Sequence, residues 1–553
     1  MEKIWLKSYP EGVAGDVTEP GHRSLRDLIE DSFREHADNP SYTNMGTTIS
    51  YRELDELSMK FACYLQGKLG LIRGERVAIM LPNILQYPVV LCGIFRAGLV
   101  AVNVNPLYTA RELKHQLKDS GARAIVILEN FADTLADVID DTAVEHVVTT
   151  GVGDLLARPK GWIVNFMLRY VRREVPDYNL PGAVKFRKAL RQGSGYNLTP
   201  VELGFADIAF LQYTGGTTGV SKGAMLSHRN MVFNIEQSIT WQQNAYDGIG
   251  QIVAITALPL YHIFSLQGNC LAMMAQGGLN VLITNPRDFP AFVEELDKHK
   301  FNYFTAVNTL FAALLNTPGF ADLDFGGLRV CIGGGMAVQP AVAKQWAEVT
   351  GCEIAQGYGL TETSPAAIVN KVGSAFTGTI GLPIPSTDVM IADDDGNPLP
   401  VGEIGEICIK GPQVMEGYWQ RPAETAEVML PGGWLRTGDI GRMDDEGYTY
   451  IEDRKKDMIL VSAFNVYPNE IENVVVEMDG ILEAAAIGIP DEKSGEAVKV
   501  FAVRTDESVT EQDVMAYCRE NLTNYKRPKV VEFRDDLPKT NVGKILRRAL
   551  REP

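Results

Sequence analysis

Short apolar runs that alternate with longer helical patterns constrain the fold of this 553-residue chain more than any other feature. Runs of this kind stand at 76–81, 124–128, 252–258, 279–284 and 328–332. Continuous apolar runs of this length are typical of strands that are buried on both faces. The pattern therefore predicts an α/β fold whose strands are mainly parallel.

Only a few sequence signals mark where helices begin and end. A helix start is predicted at Ser50, because Glu53 follows three residues later in a capping-box pattern. Apolar periodicity then continues to Leu69, and a second helical pattern ends near Gly98.

The chain is too long for one hydrophobic core, and its length predicts roughly three or four folding units. Beyond about Gly381, short alternating runs such as 405–411 predict a small barrel or an antiparallel subdomain. A charge cluster at 452–457 separates two strand-like segments. We place a domain boundary there and expect a small α+β domain after it.

Composition excludes several classes of protein. A formal net charge of −18 argues against broad nucleic-acid binding. Seven scattered cysteines with no C-x-x-C pair indicate neither a disulfide framework nor a zinc site, and they fit a reducing cytoplasm. The first residues lack the apolar core of a signal peptide, and no apolar run reaches the roughly eighteen residues of a membrane span. We expect no integral membrane segment.

Segment 160–173 combines apolar and basic residues at helical spacing. The apolar members are Trp162, Ile163, Phe166, Met167, Tyr170 and Val171. One interpretation, which we favour, is an amphipathic helix packed on its own domain. The other is peripheral contact with a membrane surface at the inner face of the cell membrane.

A glycine-rich stretch, TGGTTGVSKGAM at 214–225, follows the apolar run 208–211. Its glycines permit close approach of backbone N–H groups to a ligand, and its hydroxyls and Lys222 add further donors. These groups suit phosphate binding. The stretch does not fit the Walker pattern, because Lys222 is followed by Gly223 rather than by serine or threonine. Taken alone, a flexible surface turn explains it as well.

Four further segments share this glycine, hydroxyl and charge chemistry, at 261–264, 356–363, 434–439 and 538–544. In this order and spacing, the segments resemble the adenylate-forming superfamily, which includes acyl-CoA synthetases, firefly luciferase and peptide-synthetase adenylation domains. Within them, GGWLRTGDIGRMDDEGYTYIEDRKK at 432–456 is similar to the signature segment of fatty acyl-CoA synthetases. The whole chain most resembles bacterial long-chain fatty-acid CoA ligases.

The resemblance implies a fold and a reaction. The expected N-terminal domain, 1–454, consists of two α/β subdomains plus a small β-barrel, and the expected C-terminal domain, 455–553, is a smaller, mobile α+β unit. The implied partners are a fatty acid, ATP and coenzyme A, with Mg²⁺ as cofactor. The fatty carboxylate attacks ATP to give acyl-adenylate and pyrophosphate, and CoA then gives acyl-CoA and AMP. Transfer to a carrier protein and a non-catalytic acyl or nucleotide sensor are the alternatives.

The resemblance also implies roles for individual residues. The phosphate-binding set is Tyr213, Thr214, Gly215, Gly216, Thr217, Thr218, Gly219, Lys222 and Thr361. The nucleoside-binding set is Gly334, Gly335, Gln356, Gly357, Tyr358 and Gly359 for adenine, with Asp439 and Arg454 for ribose. The expected Mg²⁺ ligands are Glu362 and Thr214.

Two more residues complete the expected catalytic set with Thr361 and Glu362. His262 is expected to orient the carboxylate beside the α-phosphate. Lys544 is expected to bridge both during adenylation, and Lys456 is the expected hinge that withdraws it. Taken singly, plainer interpretations stay open: a core histidine at His262, a helix cap at 361–362, a turn at Asp439 and a solvated lysine at Lys544.

The chain departs from the family pattern at two positions. Ala463 stands where the family commonly has glycine, beside the expected passage for the pantetheine arm of CoA. We expect the added methyl group to narrow that passage. Met443 stands where the fatty-acid signature commonly has tryptophan, and no function follows from it. The preferred acyl length and the oligomeric state, including a homodimer, stay open.

Overall fold

The computed structural model describes residues 2–18, 20–214, 221–461, 464–491, 494–540, 543 and 545–551. Within them the chain forms four β-sheets with helices packed around them.

The strands are numbered here in chain order. They are β1 (Pro40–Asn44), β2 (Thr47–Ser50), β3 (Arg76–Met80), β4 (Val100–Asn103), β5 (Ala124–Leu128), β6 (His146–Thr150), β7 (Val184–Lys185), β8 (Ile208–Thr214), β9 (Lys222–Ser227), β10 (Val253–Thr256), β11 (Leu279–Leu282), β12 (Tyr303–Ala306), β13 (Val330–Gly334), β14 (Ile354–Tyr358), β15 (Ile368–Val369), β16 (Leu382–Pro383), β17 (Asp388–Ala392), β18 (Gly405–Lys410), β19 (Met429–Leu430), β20 (Trp434–Met443), β21 (Thr449–Arg454), β22 (Ile459–Val461), β23 (Phe464–Val466), β24 (Ile481–Asp491), β25 (Gly495–Arg504) and β26 (Val530–Phe533).

The α-helices are numbered in the same way. They are α1 (Leu25–Glu35), α2 (Tyr51–Cys63), α3 (Gln86–Arg96), α4 (Ala110–Ser120), α5 (Ala132–Ala136), α6 (Lys160–Phe166), α7 (Phe186–Gly193), α8 (His228–Gln242), α9 (Ile263–Ser265), α10 (Ala272–Ala275), α11 (Phe289–Leu296), α12 (Asn308–Leu315), α13 (Pro340–Thr350), α14 (Pro422–Val428), α15 (Pro468–Val476), α16 (Glu511–Asn521) and α17 (Arg547–Arg551). Turns of π-helix at Tyr64–Lys68 and Met167–Val171 extend α2 and α6.

Two large sheets confirm the α/β prediction. The first has nine strands in the order β16-β15-β14-β13-β12-β10-β11-β1-β2, and the second has seven in the order β7-β6-β5-β3-β4-β8-β9. Pairs inside both sheets are parallel, and antiparallel pairs stand at their ends. The five apolar runs noted in the sequence are β3, β5, β10, β11 and β13, with ends that match to within two residues.

The two large sheets are joined through α3, all of whose residues are buried. From this helix, the Tyr87 hydroxyl donates to Asn103 Oδ1 at 2.7 Å and lies 2.8 Å from the Leu260 carbonyl oxygen. Asn103 belongs to the seven-stranded sheet, whereas Leu260 follows β10 of the nine-stranded sheet. The other sides of α3 pack against α1 and α2, which explains why the whole helix is buried.

The predicted capping box is confirmed at the start of α2. The Ser50 side chain accepts a hydrogen bond from the Glu53 backbone, and the Glu53 carboxylate accepts one from the Ser50 backbone. Both partners satisfy N–H groups that the first helical turn leaves open.

The remaining two sheets follow in the chain. Strands β17 to β21 form a five-stranded sheet with antiparallel pairing, in agreement with the small antiparallel subdomain expected after Gly381. Strands β22 to β26 form the last sheet, packed with α15, α16 and α17 in an α+β arrangement. Among the residues that the structure describes, no helix combines the length and the apolar character that crossing a membrane requires.

Candidate active site

The described ends of the glycine-rich stretch, at 214 and 221–225, belong to or adjoin the antiparallel pair β8 and β9, called here the hairpin. Thr214 and Lys222 are paired across the two antiparallel strands, so they stand side by side at its base. The Ser221 hydroxyl donates to the Thr214 carbonyl at 2.6 Å and fixes that base. Gly215, Gly216, Thr217, Thr218 and Gly219 lie outside the described residues. The structure therefore places two of the expected phosphate ligands together.

A half-buried aspartate, Asp119, anchors this hairpin to the rest of the domain. The Tyr213 hydroxyl donates to Asp119 Oδ2 at 2.7 Å, and the Arg421 guanidinium donates to Asp119 Oδ1 at 2.8 Å. Burial and the neighbouring Asp119 carboxylate raise the pKa of Tyr213 well above its usual range. Tyr213, expected to contact phosphate, here gives its hydroxyl to a protein carboxylate.

Glu362 reaches the same hairpin through a tyrosine. Thr361 and Glu362 lie in a short 3₁₀ turn, Thr361–Thr363, that follows β14. The Tyr418 hydroxyl donates to Glu362 Oε1 at 2.7 Å. The Lys222 ammonium lies 5.2 Å from the centroid of the Tyr418 ring. Carboxylate, phenol and ammonium thus form one cluster at the base of the hairpin.

Tyr418 was missed from the sequence. It follows Gly417 in the segment between β18 and α14 and is separated from Glu362 by 56 positions. Burial, and after it the Glu362 charge, raise the pKa of Tyr418 well above its usual range, so the phenol stays a donor. No motif or spacing marks a contact between residues so far apart.

The turn that carries Glu362 depends on a close backbone approach at Gly359. A Cβ atom at that position would overlap the carbonyl oxygen of Pro365. Any side chain there would therefore displace the turn. Gly359 shapes the loop that presents Thr361 and Glu362.

The expected adenine wall is formed by two adjacent parallel strands. Gly334 of β13 and Gly357 of β14 are paired in register. A Cβ atom at Gly334 would lie 3.0 Å from both the Gly357 carbonyl oxygen and the ring of Phe264. Gly335 follows in the left-handed region, with φ +77. The close approach of Phe264 and of the paired strand leaves no room for a side chain at Gly334, so backbone forms the wall at this point.

The side chain of Gln356 connects the expected adenine wall to two neighbouring segments of the protein. Its side chain is buried, its Nε2 donates to the Thr379 carbonyl at 2.9 Å and its Oε1 accepts from the Val338 backbone at 2.9 Å. The amide is thus engaged on both sides by the protein. The Gln356 side chain therefore supports the strands of the expected adenine wall, and its place in that wall stays a prediction.

The expected ribose residues meet the adenine wall. The Tyr358 hydroxyl donates to Asp439 Oδ2 at 2.6 Å. Asp439 of β20 is paired with Arg454 of β21 across the antiparallel sheet. The Arg454 side chain lies outside what the structure describes. Two of the three residues are therefore joined directly, and the backbone register brings the third beside them.

His262 lies between the phosphate hairpin and the adenine wall. Its Nδ1 accepts a hydrogen bond of 3.4 Å from the Phe264 backbone, so the imidazole caps the short helix α9. Gln212 of β8 donates to the carbonyl of the preceding residue, Tyr261, at 2.8 Å. Phe264 packs against Gly334. These contacts tie the His262 turn to both parts of the site.

Lys544 lies outside the described residues, but its neighbour Gly543 is described. The Thr309 hydroxyl donates to the Gly543 carbonyl at 3.3 Å. A Cβ atom at Gly543 would lie 3.2 Å from Val307, and one at Gly335 would lie 3.6 Å from the same side chain. The loop at 543 therefore packs on the segment beside the adenine wall.

A cleft of about 310 Å³ opens beside the cluster of carboxylate, phenol and ammonium at the base of the hairpin. Its lining includes Glu362, Tyr418, Glu406 and Lys455. The Lys455 ammonium lies 2.7 Å from Asp394 and 3.5 Å from buried Glu406. Glu406 also accepts from the Gly438 backbone at 3.0 Å. The expected hinge at Lys456 thus adjoins an ion-pair cluster at one end of this cleft. Ala463 lies outside the described residues.

Two family models together match most of the chain. The model described as AMP-binding enzyme matches residues 29–419, and that of the AMP-binding enzyme C-terminal domain matches 470–544. The chain belongs to the AMP-binding enzyme family. The long-chain-fatty-acid–CoA ligase of Escherichia coli O6:H1 is 55% identical to it, over 100% of this chain and 98% of that protein.

One distant relative, MatB, has solved structures both with ATP and in the apo form. ATP-bound MatB from Rhodopseudomonas palustris matches this AMP-binding enzyme with a TM-score of 0.81 at 28% identity, over 96% of this chain and 98% of that chain. Apo MatB covers the same shares at 28% identity with a TM-score of 0.72. The arrangement described here is thus more similar to that of ATP-bound MatB.

Proposed function

We propose that this AMP-binding enzyme activates long-chain fatty acids in two half-reactions at one site. In the first, a fatty carboxylate attacks the α-phosphorus of ATP and pyrophosphate leaves. In the second, the CoA thiol attacks the acyl-adenylate and AMP leaves. The full-length identity of 55% to a long-chain-fatty-acid–CoA ligase supports the choice of substrates. The observation that carries the chemistry is the Tyr418 bridge between Glu362 and Lys222.

The hairpin and the turn after β14 divide the phosphate contacts in this proposal. Lys222, Thr361 and loop residues 215–219 hold the β- and γ-phosphates through ammonium, hydroxyl and backbone N–H donors. Glu362 and Thr214 would hold Mg²⁺, which when bound neutralises phosphate oxygens. The donor set fits that ion, because carboxylate and hydroxyl oxygens are hard ligands and the Tyr418 bond fixes the carboxylate.

The nucleoside is held by the glycine wall and the ribose pair. Gly334, Gly335 and the backbone at 356–359 pack on adenine, with Gln356 supporting from behind. Asp439 accepts from the ribose hydroxyls, and Arg454 assists it. The bond from Tyr358 to Asp439 supports this division, because it aligns the two surfaces.

His262 and Lys544 act on the reacting groups. A fatty carboxylate is ionised at neutral pH, so no base is needed to activate it. His262 orients the carboxylate, and Lys544 places a positive charge between carboxylate and α-phosphate. The contacts of Gly543 with Val307 and Thr309 support the placement of Lys544.

Two domains, 1–454 and 455–553, explain how one cleft performs two reactions. Rotation about Lys456 withdraws Lys544 after adenylation and admits the CoA thiol. The resemblance to the ATP-bound rather than the apo relative is consistent with the adenylation arrangement. Both the boundary and the rotation are part of the proposal.

The test follows the two half-reactions separately. Pyrophosphate exchange and acyl-CoA formation are measured with saturated fatty acids of several lengths, and loss of both across the whole series contradicts the proposal. Lys544→Ala should abolish exchange while sparing thioester formation from preformed acyl-adenylate. If instead free CoA accepts no acyl group although exchange is rapid, the carrier-protein alternative replaces the CoA step.

The same proposal places the enzyme in the cytoplasm, with part of the population at the inner face of the cell membrane. The seven cysteines are free and buried, which suits a reducing compartment. A long-chain fatty acid partitions into bilayers, so a peripheral position would bring enzyme and substrate together.

A further inference from the structure

Helix α6 and the π turn after it expose their apolar side chains to solvent. Of the fifteen exposed large hydrophobic side chains among the described residues, six lie between positions 162 and 171 of this segment. They are Trp162, Ile163, Phe166, Met167, Tyr170 and Val171, called here the outward face. The exposed fraction reaches 58% for Trp162 and 65% for Tyr170. A contiguous exposed apolar surface of this kind marks a contact site.

The opposite side of the helix is fixed to the protein by small and polar residues. Gly161 and Gly153 approach so closely that a Cβ atom on either would overlap the backbone of the other. The Asn165 amide accepts from the Gly153 backbone at 2.7 Å and donates to Asp154 at 3.0 Å. Leu168 packs against the core. The inward side is thus formed by Gly161, Asn165 and the apolar Val164 and Leu168, while the aromatic side chains of the segment lie outward.

Both ends of the segment are also held. The Lys160 ammonium donates to the Met45 carbonyl at 2.5 Å, in the turn between β1 and β2. The Arg169 guanidinium donates to Glu129 at 2.6 Å, and Lys185 and Tyr178 contact the same carboxylate. These contacts hold both ends of the segment in the orientation that exposes the outward face.

The charge around the outward face is opposite to that of the whole chain. Residues 157–173 contain five basic and no acidic side chains, although the chain carries a net charge of −18. Arg158, Arg172 and Arg173 are exposed, and the Arg158 guanidinium lies 5.1 Å from the centroid of the Trp162 indole. Arg169 alone of the five is directed to a buried carboxylate.

We propose that the outward face docks on the surface of an anionic lipid bilayer. Aromatic and aliphatic side chains would enter the boundary between headgroups and acyl chains, while the arginines contact lipid phosphates. A second copy of the chain fits less well, because a two-fold contact would bring the same arginines face to face. This inference rests on the membrane placement proposed above and names the surface that would make the contact. It does not depend on the two half-reactions, so its failure would leave them untouched.

The first experiment measures lipid binding by sedimentation with extruded vesicles, without ATP or fatty acid. The full chain is compared with Trp162→Ser/Phe166→Ser/Tyr170→Ser and with a matched control, Ile72→Ser/Leu107→Ser/Val401→Ser. The control removes exposed apolar side chains from other surfaces. With vesicles of phosphatidylcholine and phosphatidylglycerol in equal parts, we expect the first variant to lose at least about tenfold in partition coefficient. The control should bind as the unaltered chain does, and pure phosphatidylcholine should bind less of all three.

Unchanged binding by the first variant overturns the proposal, as does no binding of the unaltered chain to the anionic vesicles. Sedimentation velocity without lipid gives the other outcome: a dimer that the same variant dissociates would assign the outward face to a second copy. If the triple variant folds poorly, the test is the quenching of tryptophan fluorescence by bromine-labelled phospholipids. The quenching should be weaker in Trp162→Phe, and equal quenching in both proteins contradicts docking through this face.

Discussion

The Tyr418 hydroxyl determines how the Glu362 carboxylate is presented. A carboxylate binds a cation more tightly when its orientation is fixed, and the hydrogen bond of 2.7 Å from Tyr418 helps to fix it. The Tyr418 ring also lies beside the Lys222 ammonium, at 5.2 Å. One side chain therefore aligns an anionic and a cationic group of the proposed phosphate site.

Removing this hydroxyl alone is expected to weaken cation binding. In Tyr418→Phe the ring remains beside Lys222, but Glu362 loses the hydrogen bond from the Tyr418 hydroxyl. We expect the Mg²⁺ concentration for half-maximal pyrophosphate exchange to rise about 10- to 100-fold, the usual cost of losing such a supporting bond. Tyr196→Phe, at an exposed phenol, is the control. An unchanged Mg²⁺ requirement with reduced exchange would show that Tyr418 acts on folding or on Lys222 instead.

The sequence alone nominated residues of the proposed site where a motif carried them and not where only contacts did. Thr214, Lys222, Glu362 and Asp439 stand in local patterns that can be recognised along the chain. Tyr418 has no such pattern, because its function arises from a contact across 56 positions. Gln356 shows a different limit of sequence reasoning. The motif that contains it is evident, but the motif does not show that the side-chain amide forms hydrogen bonds within the protein.

At the scale of elements, His228 joins the N-termini of α1 and α8. It is the first residue of α8, and its Nδ1 accepts a hydrogen bond of 3.1 Å from the Leu25 backbone at the start of α1. Burial lowers the pKa of His228 to about 4, and the positive end of α8 is also unfavourable for a proton there. The nearby Asp207 and Asp27 act in the opposite direction, and Arg26 acts in the same direction as burial.

The lowered pKa of His228 predicts that the protein loses stability in mild acid. The unfolded histidine titrates near 6.5, so its contribution is complete above that value and is lost as the pH falls toward 4. The shift corresponds to about 3 kcal/mol at most. In His228→Asn, whose amide oxygen can still accept from Leu25, the fall in Tm between about pH 7 and pH 5 should be smaller than in the unaltered chain. An identical fall would exclude His228 as a source, and His22→Asn is the control.

Elements were predicted well where their periodicity was simple. Strands β3 and β5 are uniform apolar runs, and burial on both faces explains why their limits could be recognised. Segment 160–173 was recognised as amphipathic, but its orientation was not determined. The preferred interpretation, an apolar face packed on its own domain, is wrong for the six outward residues. Gly161 and Asn165 decide the orientation through contacts with Gly153 that periodicity does not describe.

At the scale of the whole molecule, a buried ion-pair cluster spans the proposed domain boundary. Arg547 lies 2.7 Å from Glu472 and 3.5 Å from Asp457 on its own side, and 3.4 Å from Asp453 on the other. Asp453 is fully buried and also accepts from the Asn469 backbone at 2.8 Å. Rotation about Lys456 would separate Asp453 from both partners while the contacts with Glu472 and Asp457 remain.

These contacts are expected to favour the adenylation arrangement over the one that follows it. In Asp453→Asn the side chain keeps its size, but the attraction to Arg547 is lost. The guanidinium still has two carboxylates, so folding should be largely preserved. We expect pyrophosphate exchange to fall about tenfold, a cost of about 1.4 kcal/mol. Thioester formation from preformed acyl-adenylate should be equal or faster, since the second arrangement does not use this pair.

The comparison of half-reactions makes the result specific. A general loss of stability would slow both reactions together and lower the Tm, whereas a shift between arrangements changes their ratio. Asp479→Asn, at an exposed carboxylate of the small domain, controls for the removal of one charge. If Asp453→Asn slows both half-reactions equally at an unchanged Tm, the cluster does not distinguish the two arrangements. The rotation would then have to break contacts other than those of Asp453.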